Sequence, residues 1–139
     1  MKIISMTEFF IRLGAPLKNP MWSWGSVRRG DGTVFLRVWQ DRKESISGKT
    51  YYMVHHTSKH ADTTSLGYSE RQTHIDLIRA GASCYMVICI PENKDASPRK
   101  IKSFKQDVLF KGGSTPVVGD DGNLYLENLG GVPFEQVKA

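Results

Sequence analysis

The sequence predicts an α+β fold: a small curled mixed β-sheet or barrel with two flanking helices. Three observations carry that expectation. Two short apolar patterns with helical spacing, each closed by a glycine, stand apart from a larger set of alternating runs. Two of those runs flank Asp31-Gly32, a strong hairpin signal. One further run, residues 83–90, is apolar on both faces and reads as a central strand covered from both sides. Mixed helices and antiparallel-type runs of this kind pack as one sheet with helices against it.

Taken in order, Met6, Phe9, Phe10 and Leu13 recur at i, i+3, i+4 and i+7, and Gly14 follows as a helix stop. Residues 15–20 form a connector with two prolines. Residues 22–28 and 33–40 alternate as the two strands of the hairpin around residues 29–32. A polar loop containing Gly48 leads to a third strand at residues 50–56. Ser69 and Gln72 resemble a capping box, so a second helix is expected from Ser69 through Ile75 and Ile78 to Gly81. After the central strand come a polar loop (91–98), a basic strand (99–104) and a strand at 107–111 ended by Gly112-Gly113. Residues 116–118 and 123–129 form a second hairpin around Gly119-Asp120-Asp121-Gly122, with room for one terminal strand more.

The chain has 139 residues, of which 40% are hydrophobic and 24% charged, and this suits a single domain over 1–139. Its longest apolar run, residues 84–91, falls well short of the roughly 20 residues a bilayer needs. The N-terminus carries Glu8 and lacks a small-residue cleavage site, so a cytoplasmic protein without membrane association is expected. Cys84 and Cys89 have odd spacing on one strand, point to opposite faces and cannot bridge each other, which suits free thiols in a reducing compartment.

The net charge of +5 is unevenly spread: +6 over residues 1–60, −2 over 61–98, +4 over 99–111 and −3 over 112–139. Two basic blocks make an anionic polymer the first partner to consider. On the first hairpin, Trp22, Trp24 and Arg28 share one face, and Phe35, Arg37 and Trp39 share a face of the next strand. A two-residue turn would set Trp24 against Trp39, whereas a four-residue loop sets Trp24 against Arg37 and Trp22 against Trp39. In both registers the tryptophans and arginines fall on one side. That side is either packed core or a surface on which bases stack while cations hold phosphates. In the second block, Lys100, Lys102 and Phe104 share one face, with Arg99, Ile101 and Ser103 on the other.

Catalytic signals are sparse. His56 and His60 stand four apart in what reads as strand end and loop, with Asp62 as a third ligand only after a reversal. Two acid-x-lysine elements occur, Asp41-Arg42-Lys43 and Glu92-Asn93-Lys94, the kind of element a metal-dependent nuclease uses. Neither has a supporting motif. No nucleophile elbow, phosphate-binding P-loop or dinucleotide fingerprint is present, so no cofactor or metal is called for.

The segments Trp22-Ser23-Trp24-Gly25, Val34-Phe35-Leu36-Arg37-Val38-Trp39-Gln40-Asp41, Gly67-Tyr68-Ser69-Glu70-Arg71 with His74, and Pro98-Arg99-Lys100-Ile101-Lys102-Ser103-Phe104 resemble a bacterial and phage family of small proteins. Related segments of that family occur attached to HNH-type endonucleases. The element order is similar to that of the PUA-like superfamily, which includes EVE, ASCH and SRA-type domains, several of which read modified or flipped bases in an aromatic cage. The resemblance implies a non-catalytic nucleic-acid-binding module, a reader of modified bases in restriction or phage defence. DNA is the expected partner ahead of RNA, with a protein such as a nuclease subunit as a second candidate. Trp22, Trp24, Trp39 and Tyr68 would stack bases, and Arg28, Arg29, Arg37, Arg99, Lys100, Lys102 and Lys105 would hold phosphates. The competing readings are a small metal-dependent nuclease built on Asp31, Asp41 and Lys43 or on Glu92 and Lys94, and a protein-interaction module such as a phage inhibitor of a host protein.

Overall fold

A computed structural model describes residues 4–19, 22–56, 65–96 and 99–139. Helix α1 (Met6–Arg12) starts at Ser5, whose hydroxyl accepts from the Glu8 amide at 3.1 Å. It ends in a Schellman turn: Gly14, at φ 74°, donates to Ile11 O and Ala15 donates to Phe10 O. A side chain at Gly14 would be strained by that φ, so the stop read from sequence has a backbone cause.

Strands β1 (Gly25–Val27) and β2 (Val34–Trp39) form the first hairpin, with Ser26 opposite Phe35 and the Arg28 amide donating to Thr33 O. This is the register of the four-residue loop. It places Trp24 against Arg37, whose amide donates to Trp24 O at 2.8 Å. Strand β1 is shorter than residues 22–28 because the Trp24 amide is taken by the Glu70 carboxylate and not by a ladder partner.

The stretch expected to be a polar loop is instead a hairpin. Strands β3 (Lys43–Ile46) and β4 (Lys49–His55) meet at Ser47-Gly48, both with positive φ (53° and 80°), as a two-residue primed turn demands. Strand β3 is almost wholly exposed, so it lacks the apolar alternation that would mark it.

Helix α2 (Leu66–Arg79) begins one turn before the expected Ser69: Ser65 is the cap, accepting from the Tyr68 amide at 3.1 Å. Leu66 is exposed and gave the apolar pattern no start signal. At the other end, Gly81 and Ala82 donate to Ile78 O and Leu77 O, the same closure as in α1.

The central strand β5 (Cys84–Pro91) pairs in parallel with β2, from Val34 opposite Cys84 to Trp39 opposite Cys89. Along its other side lie β6 (Ile101–Phe104) and β7 (Val108–Gly112). A register shift between Ile90 and Pro91 breaks the alternation expected for β6: Ile101 and Phe104 are half-buried while Lys102 and Ser103 are exposed. Strand β8 (Val117–Val118) pairs with β9 (Leu124–Pro133), which runs on to Pro133 and leads into a third helix, α3 (Phe134–Val137).

The sheet order is β1-β2-β5-β7-β9-β4-β3. It curls until Tyr52 and Val54 of β4 share a core with Val34, Leu36 and Val38 of β2, closed by Ile75 and Ile78 of α2. The opposite face packs Phe35, Val87 and Leu109 beneath Phe9, Phe10 and Leu13 of α1 and Phe134 and Val137 of α3. The expectation of a barrel is corrected here: the sheet stays open, with β1 and β3 as edges. Glu70 and Pro16 O take polar groups along β1, and charged Lys43 and Glu44 line β3, so neither edge offers a clean partner for closure. Among the described residues, no helix is long and apolar enough to cross a membrane.

Candidate nucleic-acid interface

The aromatic face of the first hairpin divides in two. Phe35 is fully buried beneath α1, stacked on Tyr85 with ring centroids 5.9 Å apart. Apart from that core, Trp22, Trp24 and Trp39 are half-buried around a cleft of about 990 Å³. Arg37, Arg42, Arg71, Lys94 and Arg99 line the same cleft, with Asp95 as the carboxylate among the described lining residues.

Helix α2 sets Trp24 in place. Gly67, Glu70 and Arg71 lie on one helix face by their spacing. The Glu70 carboxylate accepts from the Trp24 amide and the Ser23 hydroxyl, both at 2.9 Å. The indole rests on Gly67, where a Cβ would lie 2.5 Å from Trp24 Cε2. Gly67→Ala is therefore expected to displace the indole and lower stability by about 1–3 kcal/mol. Urea unfolding and the tryptophan emission maximum of the folded variant test this; unchanged values would mean the indole position is not fixed by that contact.

Arg71 ties three segments together. Its Nη1 donates to Val54 O, and its Nη2 donates to Trp24 O at 2.7 Å and Arg37 O at 2.9 Å. The residue is 4% exposed, and its Nε has no acceptor among the described residues. No carboxylate among the described residues lies within ion-pairing distance of it. Burial pushes its pKa down to about 10. Arg37, beside it, donates to Ser23 O at 2.7 Å.

Arg99 is held differently. Asp41 accepts two bonds from it at 2.7 and 2.8 Å, and Lys94 O a third, leaving the guanidinium 5.1 Å from the Trp39 ring centroid. The bonds to Arg99 keep the Asp41 carboxyl below the ordinary carboxylate range. Asp41, the acid of one acid-x-lysine element, is thus occupied as a counter-ion. Among the described residues, no group of three or more His, Cys, Asp or Glu gathers as metal ligands would. His60 and Asp62 lie outside the described residues, as do Pro20 and Pro98.

His55 and His56 also line the cleft. The His55 ring is buried, with Nε2 3.1 Å from Gln72 Oε1 and its centroid 4.5 Å from that of Tyr68. Burial lowers its pKa. Cys89 faces the cleft from β5, and burial pushes its thiol up to about 11, which makes it a poor nucleophile.

Of the residues expected from sequence, Trp22, Trp24, Arg37, Trp39 and Arg99 meet in this cleft. Tyr68 packs against His55. Arg28 sits at the far end of β1, donating to Leu13 O, Val137 O and Asp31, so it seals the junction of α1 and the C-terminal helix. Arg29 is exposed at the hairpin tip, and Lys100 and Lys102 are exposed at β6. The Lys105 ammonium lies over Phe110 at 5.6 Å.

Of the other residues lining the cleft, Arg71, Arg42 and His55 were given no role from sequence, whereas His56 and Lys94 were named only for the metal and nuclease readings. For Arg71 a signal existed: Gly67, Arg71, Ile75 and Ile78 form the buried stripe of α2, and an arginine on such a stripe must find partners in the interior. Comparison of the chain with protein-family models, with curated proteins and with solved structures finds no match.

Proposed function

We propose that the protein is a nucleic-acid-binding module that takes an unstacked base into the cleft between Trp22, Trp24 and Trp39. The carrying observation is that three tryptophans and five cationic side chains line one cleft. Stacking on aromatic rings contributes roughly 1–3 kcal/mol per base, and the cations attract the phosphates. Extruding a base from a duplex costs a few kcal/mol, which such a cage offsets. The resemblance to PUA-like readers favours a modified base in DNA as the ligand, in a bacterial or phage restriction setting.

All three tryptophans line the cleft, so their fluorescence reports occupancy directly. The test is a quenching titration with single- and double-stranded DNA and RNA, with and without modified cytosine, at two salt concentrations. Binding should weaken with salt, and Trp24→Ala should weaken it about tenfold, or ~1.4 kcal/mol, in a folded variant. Absence of binding at low salt would remove the proposal.

A further inference from the structure

We infer that the nucleotide held in this cleft carries a terminal phosphomonoester, seated against Arg37, Arg42 and Arg71. The inference rests on the proposal that the cleft takes a nucleotide, and it adds which part of the nucleotide the cations recognise.

Among the described residues the charges of the cleft do not balance: five cationic side chains line it, against Asp95 and the Asp41 bound to Arg99. Arg99 is neutralised by Asp41. Among the described residues, no carboxylate lies within ion-pairing distance of Arg37, Arg42, Arg71 or Lys94. Arg71 is 4% exposed, and its Nε lacks an acceptor among the described residues. Carbonyl partners satisfy part of its hydrogen bonding but supply no opposite charge, and a buried guanidinium without one is costly. A bound anion removes that cost, so the cation serves as a preorganised receptor.

Two features favour a monoester over the diester of a passing strand. A phosphomonoester carries about −1.5 to −2 charge at pH 7, against −1 for a diester, and so matches the surplus better. The cations also stand inside the cleft with the aromatic rings. Its volume of about 990 Å³ accommodates a base, a sugar and a phosphate together.

The ligand chemistry has two sources, a free nucleotide or the phosphorylated end of a strand, and the experiment separates them. Tryptophan quenching is followed with a nucleoside, its 5′- and 3′-monophosphates, and a pentanucleotide with and without terminal phosphates. Inorganic phosphate serves as competitor. The phosphorylated member of a pair should bind at least tenfold more tightly than its unphosphorylated partner. The exposed pair Arg42→Gln and Lys94→Gln should shrink that ratio severalfold, and Arg37→Gln should do the same, so the test does not depend on a variant of Arg71. Tighter binding of the phosphorylated pentanucleotide than of the mononucleotide assigns the site to a strand end, and the reverse to a free nucleotide; both support the inference. Equal affinity within each pair overturns it and leaves base stacking standing. No quenching by any of these ligands overturns both.

Discussion

Replacing Arg71 with lysine is expected to lower the stability of the fold by about 2–4 kcal/mol. The guanidinium fork reaches Val54 O on β4, Trp24 O before β1 and Arg37 O on β2 at once. An ammonium is a compact point charge and cannot span three such acceptors, so at least two carbonyls lose the guanidinium's bond while the buried charge stays, although Trp24 O keeps the Arg37 amide. Arg71→Met is expected to be the milder change. It also removes the guanidinium's bonds to the carbonyls but removes the desolvated charge, whose discomfort is visible in a pKa pushed down to about 10 by burial. Urea unfolding of the three proteins, with the slope checked for constancy, gives the comparison. A lysine variant as stable as the parent would show that the three-way tie contributes little. A methionine variant worse than lysine would show that the charge is well compensated without ligand, and would weaken the case for an anion in the cleft.

Stability is also expected to fall as pH drops from 6.5 toward 4, chiefly through His74. This residue is 5% exposed, and its Nδ1 has no partner among the described residues. Burial, with a contribution from the Arg71 charge, pushes its pKa down to about 4 from the ordinary 6.5. Between those values the unfolded chain binds a proton that the folded chain refuses, so stability rises with pH across the window and is lost as pH falls through it. The shift is worth on the order of 3 kcal/mol when complete. His55 is shifted in the same direction and adds to the slope. The Asp41–Arg99 pair acts lower: its contribution is fully present above the ordinary 3.8 and is lost as pH falls through the depressed value. Urea midpoints at pH 7 and 4.5 separate the two windows. His74→Leu should flatten the upper one, and an unchanged pH slope in that variant would exclude His74 as its source.

The pH dependence and the Arg71 tie trace to the same location, the buried stripe of α2 where polar residues replace apolar ones. His74 and Arg71 lie on that stripe between Gly67 and Ile78. A stripe that gives up apolar burial at two positions is a local conflict of the kind that marks sites used for something other than packing.

How much of this was legible in the sequence differs by element. The α+β class, the glycine stops at Gly14 and Gly81, the four-residue register of the first hairpin as one of two options, and the doubly covered strand β5 could all be read directly. Each depends on hydrogen bonds or side-chain periods within a few residues, which the local sequence encodes. Strand β3 could not, because an edge strand with exposed side chains has no apolar period to detect. Nor could the start of α2 at Ser65, since exposed Leu66 follows it and Ser69 offers an equally good cap.

The three tryptophans were visible as a group, but their separation from Phe35 was not. Alternation assigns a face; that Phe35 packs under α1 while Trp24 rests on α2 is settled only by how the helices lie against the sheet. The same holds for charge. In the sequence Arg28 and Arg37 look equivalent, yet one closes the junction of the chain ends and the other faces the cleft. Arg71, a buried cation, could be placed on the apolar stripe of α2 from its spacing, but the three carbonyls that hold it could not be read from the sequence. The sequence by itself determined the elements and the inventory of aromatic and basic side chains. Only the tertiary structure decided which of those charges lose their water, because desolvation depends on where the curled sheet and α2 close over them.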